Sequence, residues 1–139
     1  MRRKDAAVTL IEMLVVVTIM ALFATLSLPA VMARLEKAKI AAARTQIASF
    51  EQALTHYKLD TGAFPTTEQG LEALRTRPAN VANWDGPYLV KEIPLDPWGH
   101  RYVYKFPAEH GNQPEIISFG ADGQPGGEGS NADIVSWKN

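Results

Sequence analysis

Residues 6–17, AAVTLIEMLVVV, decide how this chain is to be read. Glu12 is the one carboxylate in an otherwise apolar run, and from Met13 to Ala33 no charged residue appears. A helix of that length, at about 1.5 Å per residue, crosses a hydrocarbon core of ~30 Å. The basic segment MRRK stands just before it. Basic flanks stay on the cytoplasmic side, so the rest of the chain is expected across the membrane. A charge at mid-depth of a bilayer costs on the order of 2.5–3.5 kcal/mol, somewhat less near an end, and such residues are usually paired.

Three readings of this segment compete. One is an uncleaved signal anchor. Another is a secretory signal peptide, although its apolar region usually runs only about 7–15 residues, and here the run continues into a helical pattern. The third makes Glu12 a docking residue, its cation brought to the same depth by another copy of the chain.

The 139 residues suffice for one small domain plus an appendage. A formal net charge of -1 offers no electrostatic case for nucleic acid. No cysteine is present, which excludes disulfides and thiolate metal sites. The helical pattern outlasts the apolar run. Ile40, Ala43, Ile47, Phe50, Leu54 and Tyr57 recur at alternating spacings of three and four, one apolar stripe of an amphipathic helix. Arg34, Glu36, Lys37, Lys39, Arg44, Glu51 and Lys58 occupy its other faces. Gly62 and Pro65 mark the stop, so a single helix is expected from near Val8 to about Asp60.

TTEQGLEALRT (residues 66–76) predicts a second, short helix, with Thr66 as N-cap and Gln69 as its capping-box partner. Residues 78–97 are rich in Pro, Asn, Asp and Gly and predict a long loop with turns at DGP and DPWG. Trp84, Tyr88 and Trp98 are expected to fasten it to the domain. RYVYKF (101–106) and EIISF (115–119) alternate as strands of one antiparallel hairpin, and DIVSW (133–137) predicts a last short strand. The architecture is therefore α+β, a long helix packed on a small antiparallel sheet.

FGADGQPGGEGSNAD (119–133) is the richest stretch for chemistry. It combines flexible glycine backbone with Asp122, Glu128, Asn131 and Asp133. Counted as a calcium loop, Asp122 falls first, Gln124 third, Gly127 sixth and Asp133 last, but the acids usual at the third and fifth positions are missing and the flanks are strands. An EF-hand is therefore not expected. A calcium loop built from carboxylates and backbone carbonyls and a solvated glycine-rich turn both remain open on chemistry alone.

Two motifs carry a resemblance. AAVTLIEMLVVV resembles the processing signal of type IV pilins and pseudopilins, in which a short basic leader and a Gly precede Phe-Thr-Leu-Ile-Glu and a long apolar helix. Ala7 takes the Gly position and Val8 the Phe position, while Thr9, Leu10, Ile11 and Glu12 match directly. Pro29 also lies where the family has a proline. SFGADGQPGGEGSNADIVSW, with DPWGHRYVY upstream, resembles the C-terminal signature of the major pseudopilins of type II secretion systems. The absence of cysteine fits that family better than a type IV pilin proper.

The resemblance implies a leader at 1–7, a membrane and polymerisation helix at 8–33 and a periplasmic domain at 34–139. It implies cleavage between Ala7 and Val8 by a prepilin peptidase that methylates the new amine. That amine would then be the partner of Glu12 on a neighbouring subunit. It further implies a calcium ion held by the carboxylates of Asp122 and Asp133 and by backbone oxygens of Phe119 and Gln124, with Asn131 and Glu128 as weaker candidates. The implied partners are copies of the chain itself, minor pseudopilins and an inner-membrane assembly platform. The implied place is a bacterial inner membrane, crossed once, with the C-terminal domain in the periplasm. A pilin for adhesion or motility and a membrane-anchored calcium-binding module are the alternatives. An enzyme is not expected: His56, His100 and His110 show no ligand spacing, and neither a phosphate loop nor a nucleophile motif occurs.

Overall fold

The computed structural model describes residues 8–138. The expected leader, Ala7 included, lies outside the described residues. The chain divides into two compact units, the second beginning at Lys37.

Helix α1 runs from Leu10 to Thr61 and continues through Pro29 without a break. It starts where the Thr9 hydroxyl accepts the Glu12 N–H at 3.3 Å, an N-cap that satisfies one of the donors a helix start leaves open. It stops at Gly62, whose φ of 88° and N–H···O=C bond to Lys58 (2.8 Å) form a left-handed C-cap. In the first unit the helix carries large apolar side chains that are exposed among the described residues. Leu10, Leu14, Met20, Phe23 and Leu26 are all exposed. This is the part of α1 long and apolar enough to cross a membrane.

In the second unit the anticipated stripe is buried. Ala43, Ile47, Phe50, Leu54 and Tyr57 are in the core with Ala53, and Ile40 packs at its edge. Tyr104 and Ile116 join that core from a three-stranded antiparallel sheet in the order β1 (Val103–Lys105), β2 (Glu115–Ser118), β3 (Ile134–Val135). The register pairs Val103 with Ile117, Tyr104 with Ile116 and Ile117 with Val135. Phe50 meets Tyr102 edge to face at 5.2 Å, an arrangement that adds to simple burial. The strands are shorter than the alternating runs that announced them, because loop backbone rather than ladder continues from each end.

Residues 66–76 depart from expectation. The capping box forms, with Gln69 N–H donating to Thr66 Oγ1 and Thr66 N–H to Gln69 Oε1. Beyond it the chain makes a turn and only four residues of 3₁₀ helix, Leu71–Leu74. Gly70, at φ 59°, takes the chain out of the right-handed region and prevents a continuous helix. The next loop is fastened as anticipated. Trp84 Nε1–H donates to Ala73 O at 2.9 Å, and the Tyr88 ring stands edge-on to both Tyr57 and Trp84. Tyr88 O–H donates to Asp60 Oδ2 at 2.8 Å, which ties the loop to the end of α1.

Candidate functional site

Two places carry the expected functional residues. The first is the start of α1. Val8 and Thr9 precede the helix, and Glu12 is the acid of its first turn, where a negative charge is favoured by the helix dipole. Both Val8 and Glu12 are exposed within the single chain.

The second is the loop from Phe119 to Asp133, between β2 and β3. Phe119 follows directly on β2. Gly120 comes next at φ 66°, and a Cβ there would meet Ser130 O at 2.7 Å and Ala132 O at 2.9 Å, so only glycine lets the two ends of the loop approach this closely. Ala121 N–H donates to Ser130 O across the same gap. Asp122 and Gln124 belong to one tight turn, the Gln124 N–H donating to Asp122 Oδ1 at 3.1 Å. Asn131 closes a one-turn 3₁₀ segment with its N–H on Glu128 O, and its own carbonyl sits where a Cβ on Gly127 would be 2.6 Å away. Asp133, just before β3, receives the Gly126 N–H on Oδ2 at 2.9 Å.

The other Asp133 oxygen, Oδ1, is buried and has no hydrogen-bond partner. A desolvated carboxylate oxygen left without a donor is costly, and a cation is the usual compensation. Among the described residues no three His, Cys, Asp or Glu side chains come together to hold a metal. A cation here would therefore depend on two carboxylates supplemented by carbonyls. That all-oxygen set, on a glycine-rich loop, is the kind calcium accepts with its about six to eight ligands and undemanding geometry. The donor chemistry of the expected residues suits such an ion, and Asp133 Oδ1 is the one buried side-chain oxygen among the described residues without a hydrogen-bond partner.

Beneath the loop lies a polar cluster that residue spacing does not announce. Asp96, 4% exposed, accepts the Trp98 N–H (3.1 Å) and the His100 N–H (2.8 Å) on Oδ1. Its Oδ2 accepts the Ser118 hydroxyl at 2.6 Å. The His100 ring lies 3.1 Å from Gly120 O through Nδ1. Burial, and then the charge of Asp96, push the Tyr102 hydroxyl up to about 12. DPWG forms the expected turn, and it also carries this buried carboxylate to the base of the loop.

A second buried acid, Glu115, opens β2 and accepts the Glu109 N–H (2.8 Å), the His110 N–H (2.6 Å) and the His110 ring (2.8 Å) on one oxygen. Burial pushes its pKa up, but the hydrogen bonds and charge from His110 and the Glu109 N–H outweigh this and hold it below the ordinary value. The His110 ring stacks on Trp137 at 4.5 Å. A surface cleft of about 560 Å³ is lined by Glu72, Arg75, Glu92 and Arg101 among others, and none of the expected metal ligands reaches it.

Known proteins resemble the chain at both ends. Residues 30–137 match the family described as type II secretion system protein G, and residues 2–28 match the prokaryotic N-terminal methylation motif. The type II secretion system core protein G of Pseudomonas aeruginosa is 43% identical, over 99% of this chain and 99% of its own length. Its counterpart in Vibrio cholerae is 44% identical over 97% of this chain and 93% of its own. Among solved structures, the major pseudopilin from the type 2 secretion system of enterohaemorrhagic Escherichia coli superposes with a TM-score of 0.66 at 32% identity, covering 78% of this chain and 94% of that one.

Proposed function

The chain belongs to the type II secretion system protein G family of major pseudopilins, and we propose that it polymerises into a calcium-stabilised periplasmic pseudopilus whose growth drives protein export. The family is structural, not enzymatic. The observation that carries the polymer is the uncovered apolar surface of α1 between Leu10 and Met32, whose one charge is Glu12 near its start. Lipid covers such a surface before assembly, and the same surface of other copies covers it afterwards.

In this reading residues 1–7 are a leader, 8–33 the membrane and assembly segment and 34–139 the periplasmic domain. A prepilin peptidase cuts between Ala7 and Val8 and methylates the Val8 amine, in keeping with the methylation motif over residues 2–28. The freed amine of one subunit neutralises Glu12 of its neighbour. In a medium of low dielectric an unpaired carboxylate is expensive, so only the stagger that brings the two together is stable.

Calcium is the second part of the proposal. Asp122 and Asp133 supply carboxylates, Phe119 and Gln124 carbonyl oxygens, and Asn131 closes the loop beside them; the orphaned Asp133 Oδ1 supports this set. The ion would tie β2 to β3 and so fix the surface that neighbouring subunits meet.

Mass analysis of the N-terminus of membrane-extracted protein tests the processing step on which assembly depends. The expected product begins with a methylated Val8. Protein that keeps Met1 in cells containing an active peptidase would overturn the reading.

A further inference from the structure

Four hydrogen bonds close into a ring around the entrance of the glycine-rich loop. Asp96 Oδ2 accepts the Ser118 hydroxyl at 2.6 Å. Ser118 Oγ, its proton thus committed, accepts the Gly120 N–H at 3.4 Å, the longest member of the ring. Gly120 O faces His100 Nδ1 at 3.1 Å; a carbonyl only accepts, so Nδ1 carries the hydrogen. The His100 backbone N–H returns to Asp96 Oδ1 at 2.8 Å. Ser118 is fully buried and Asp96 nearly so, which shields their side of the ring from competing water, while the His100 side chain is 39% exposed.

The ring grips both peptide groups that flank Gly120. The Phe119–Gly120 unit is held through its N–H on Ser118. The Gly120–Ala121 unit is held through its C=O on His100 and its N–H on Ser130 O. A peptide group is planar, and in the trans form its C=O points opposite to its N–H. Fixing the Gly120 N–H toward Ser118 therefore fixes the direction of the Phe119 carbonyl. Gly123, a little further along the loop, adds a steric stop. A Cβ there would lie 3.0 Å from the His100 ring, at a φ of 65° that already favours glycine.

We infer that Asp96, Ser118 and His100 are positioning residues for calcium, none of them a ligand, which aim the Phe119 carbonyl before the ion arrives. The inference rests on the proposed calcium site. A liganding oxygen already aimed costs no ordering on binding, whereas one left to rotate must be ordered by the ion. Outer partners of this kind alter metal affinity by about 10–100-fold while the ligands themselves stay in place.

The test titrates the full-length protein in detergent with calcium chloride by calorimetry, and melts each variant in chelator. The parent is compared with Ser118→Ala, which removes one ring member without adding bulk, and with His100→Ala on the more exposed side. Each variant is expected to bind calcium at least about 10-fold more weakly, at a temperature where its circular dichroism matches the parent. A merely structural role would lower melting in chelator and leave the calcium affinity unchanged, and unchanged affinity in both folded variants overturns the inference. A parent that takes up no calcium would instead refute the calcium reading, and the positioning role with it.

Discussion

Asp133 is held by one oxygen and left wanting at the other, and that asymmetry is the residue-scale reason to expect an ion. At calcium concentrations about 100-fold above the dissociation constant, binding to the folded state alone adds about 2.7 kcal/mol. For a domain of roughly 100 residues this raises the melting temperature by on the order of 10 °C or more. Asp122→Ala and Asp133→Ala should each abolish that increment. In chelator they should melt near the parent, within the ~1 kcal/mol that a lost backbone hydrogen bond accounts for. Differential scanning calorimetry in calcium and in chelator reads both quantities, and a parent that melts equally in the two would remove the metal. These acids are legible in the sequence because glycine-rich backbone and carboxylates sit side by side in residues 119–133. Asp96 is not. Its hydroxyl partner, Ser118, is 22 residues away, and only the folded sheet brings the two into contact. His100 lacks ligand spacing, and spacing rules find ligands but not the residues that orient them.

At the scale of elements, local periodicity succeeds where it is long and fails where it is short. The stripe from Ile40 to Tyr57 repeats over about five turns and is the face α1 buries. The capping box at Thr66 and Gln69 is also sound, yet one glycine with positive φ reduces the helix it promises to four residues. Strand β2 shows a third case. Its burial pattern covers both faces, so Glu115 is enclosed rather than turned to water, and the hairpin connection folds over it. The titratable neighbours at this end of the sheet are His110, Glu109 and Lys105, the last two paired with each other. Because the folded carboxyl of Glu115 sits below its ordinary value of 4.5, its contribution is complete above that pH. As the pH falls further the unfolded chain takes up the proton first, and the stability is lost as the pH passes through the lower folded value. Urea unfolding from pH 7 down to about 3 should show this loss, and Glu115→Gln should be less stable at about pH 7 with a flatter acid limb. An unchanged acid limb in that variant would show that the cage around Glu115 contributes nothing to stability.

For the whole molecule, the two units differ in what they expose. The second unit, from Lys37 onward, buries its own core as an ordinary small α+β domain does. The first is a helix whose large apolar side chains, Leu10 at 90% exposure among them, are exposed among the described residues. Composition alone announces that segment, since a long uncharged run needs no tertiary information to be recognised. The role proposed for Glu12 is one of assembly, and a single subunit records only its place at the start of α1, beside the Thr9 cap. The central claim is that this acid docks on the freed amine of a neighbour. Its most direct test replaces Glu12→Leu and follows filaments by electron microscopy of sheared, detergent-treated membranes, with membrane fractionation in parallel. The account predicts subunits inserted and processed at parental levels but no filaments. Filaments of normal number and length from that variant would contradict it.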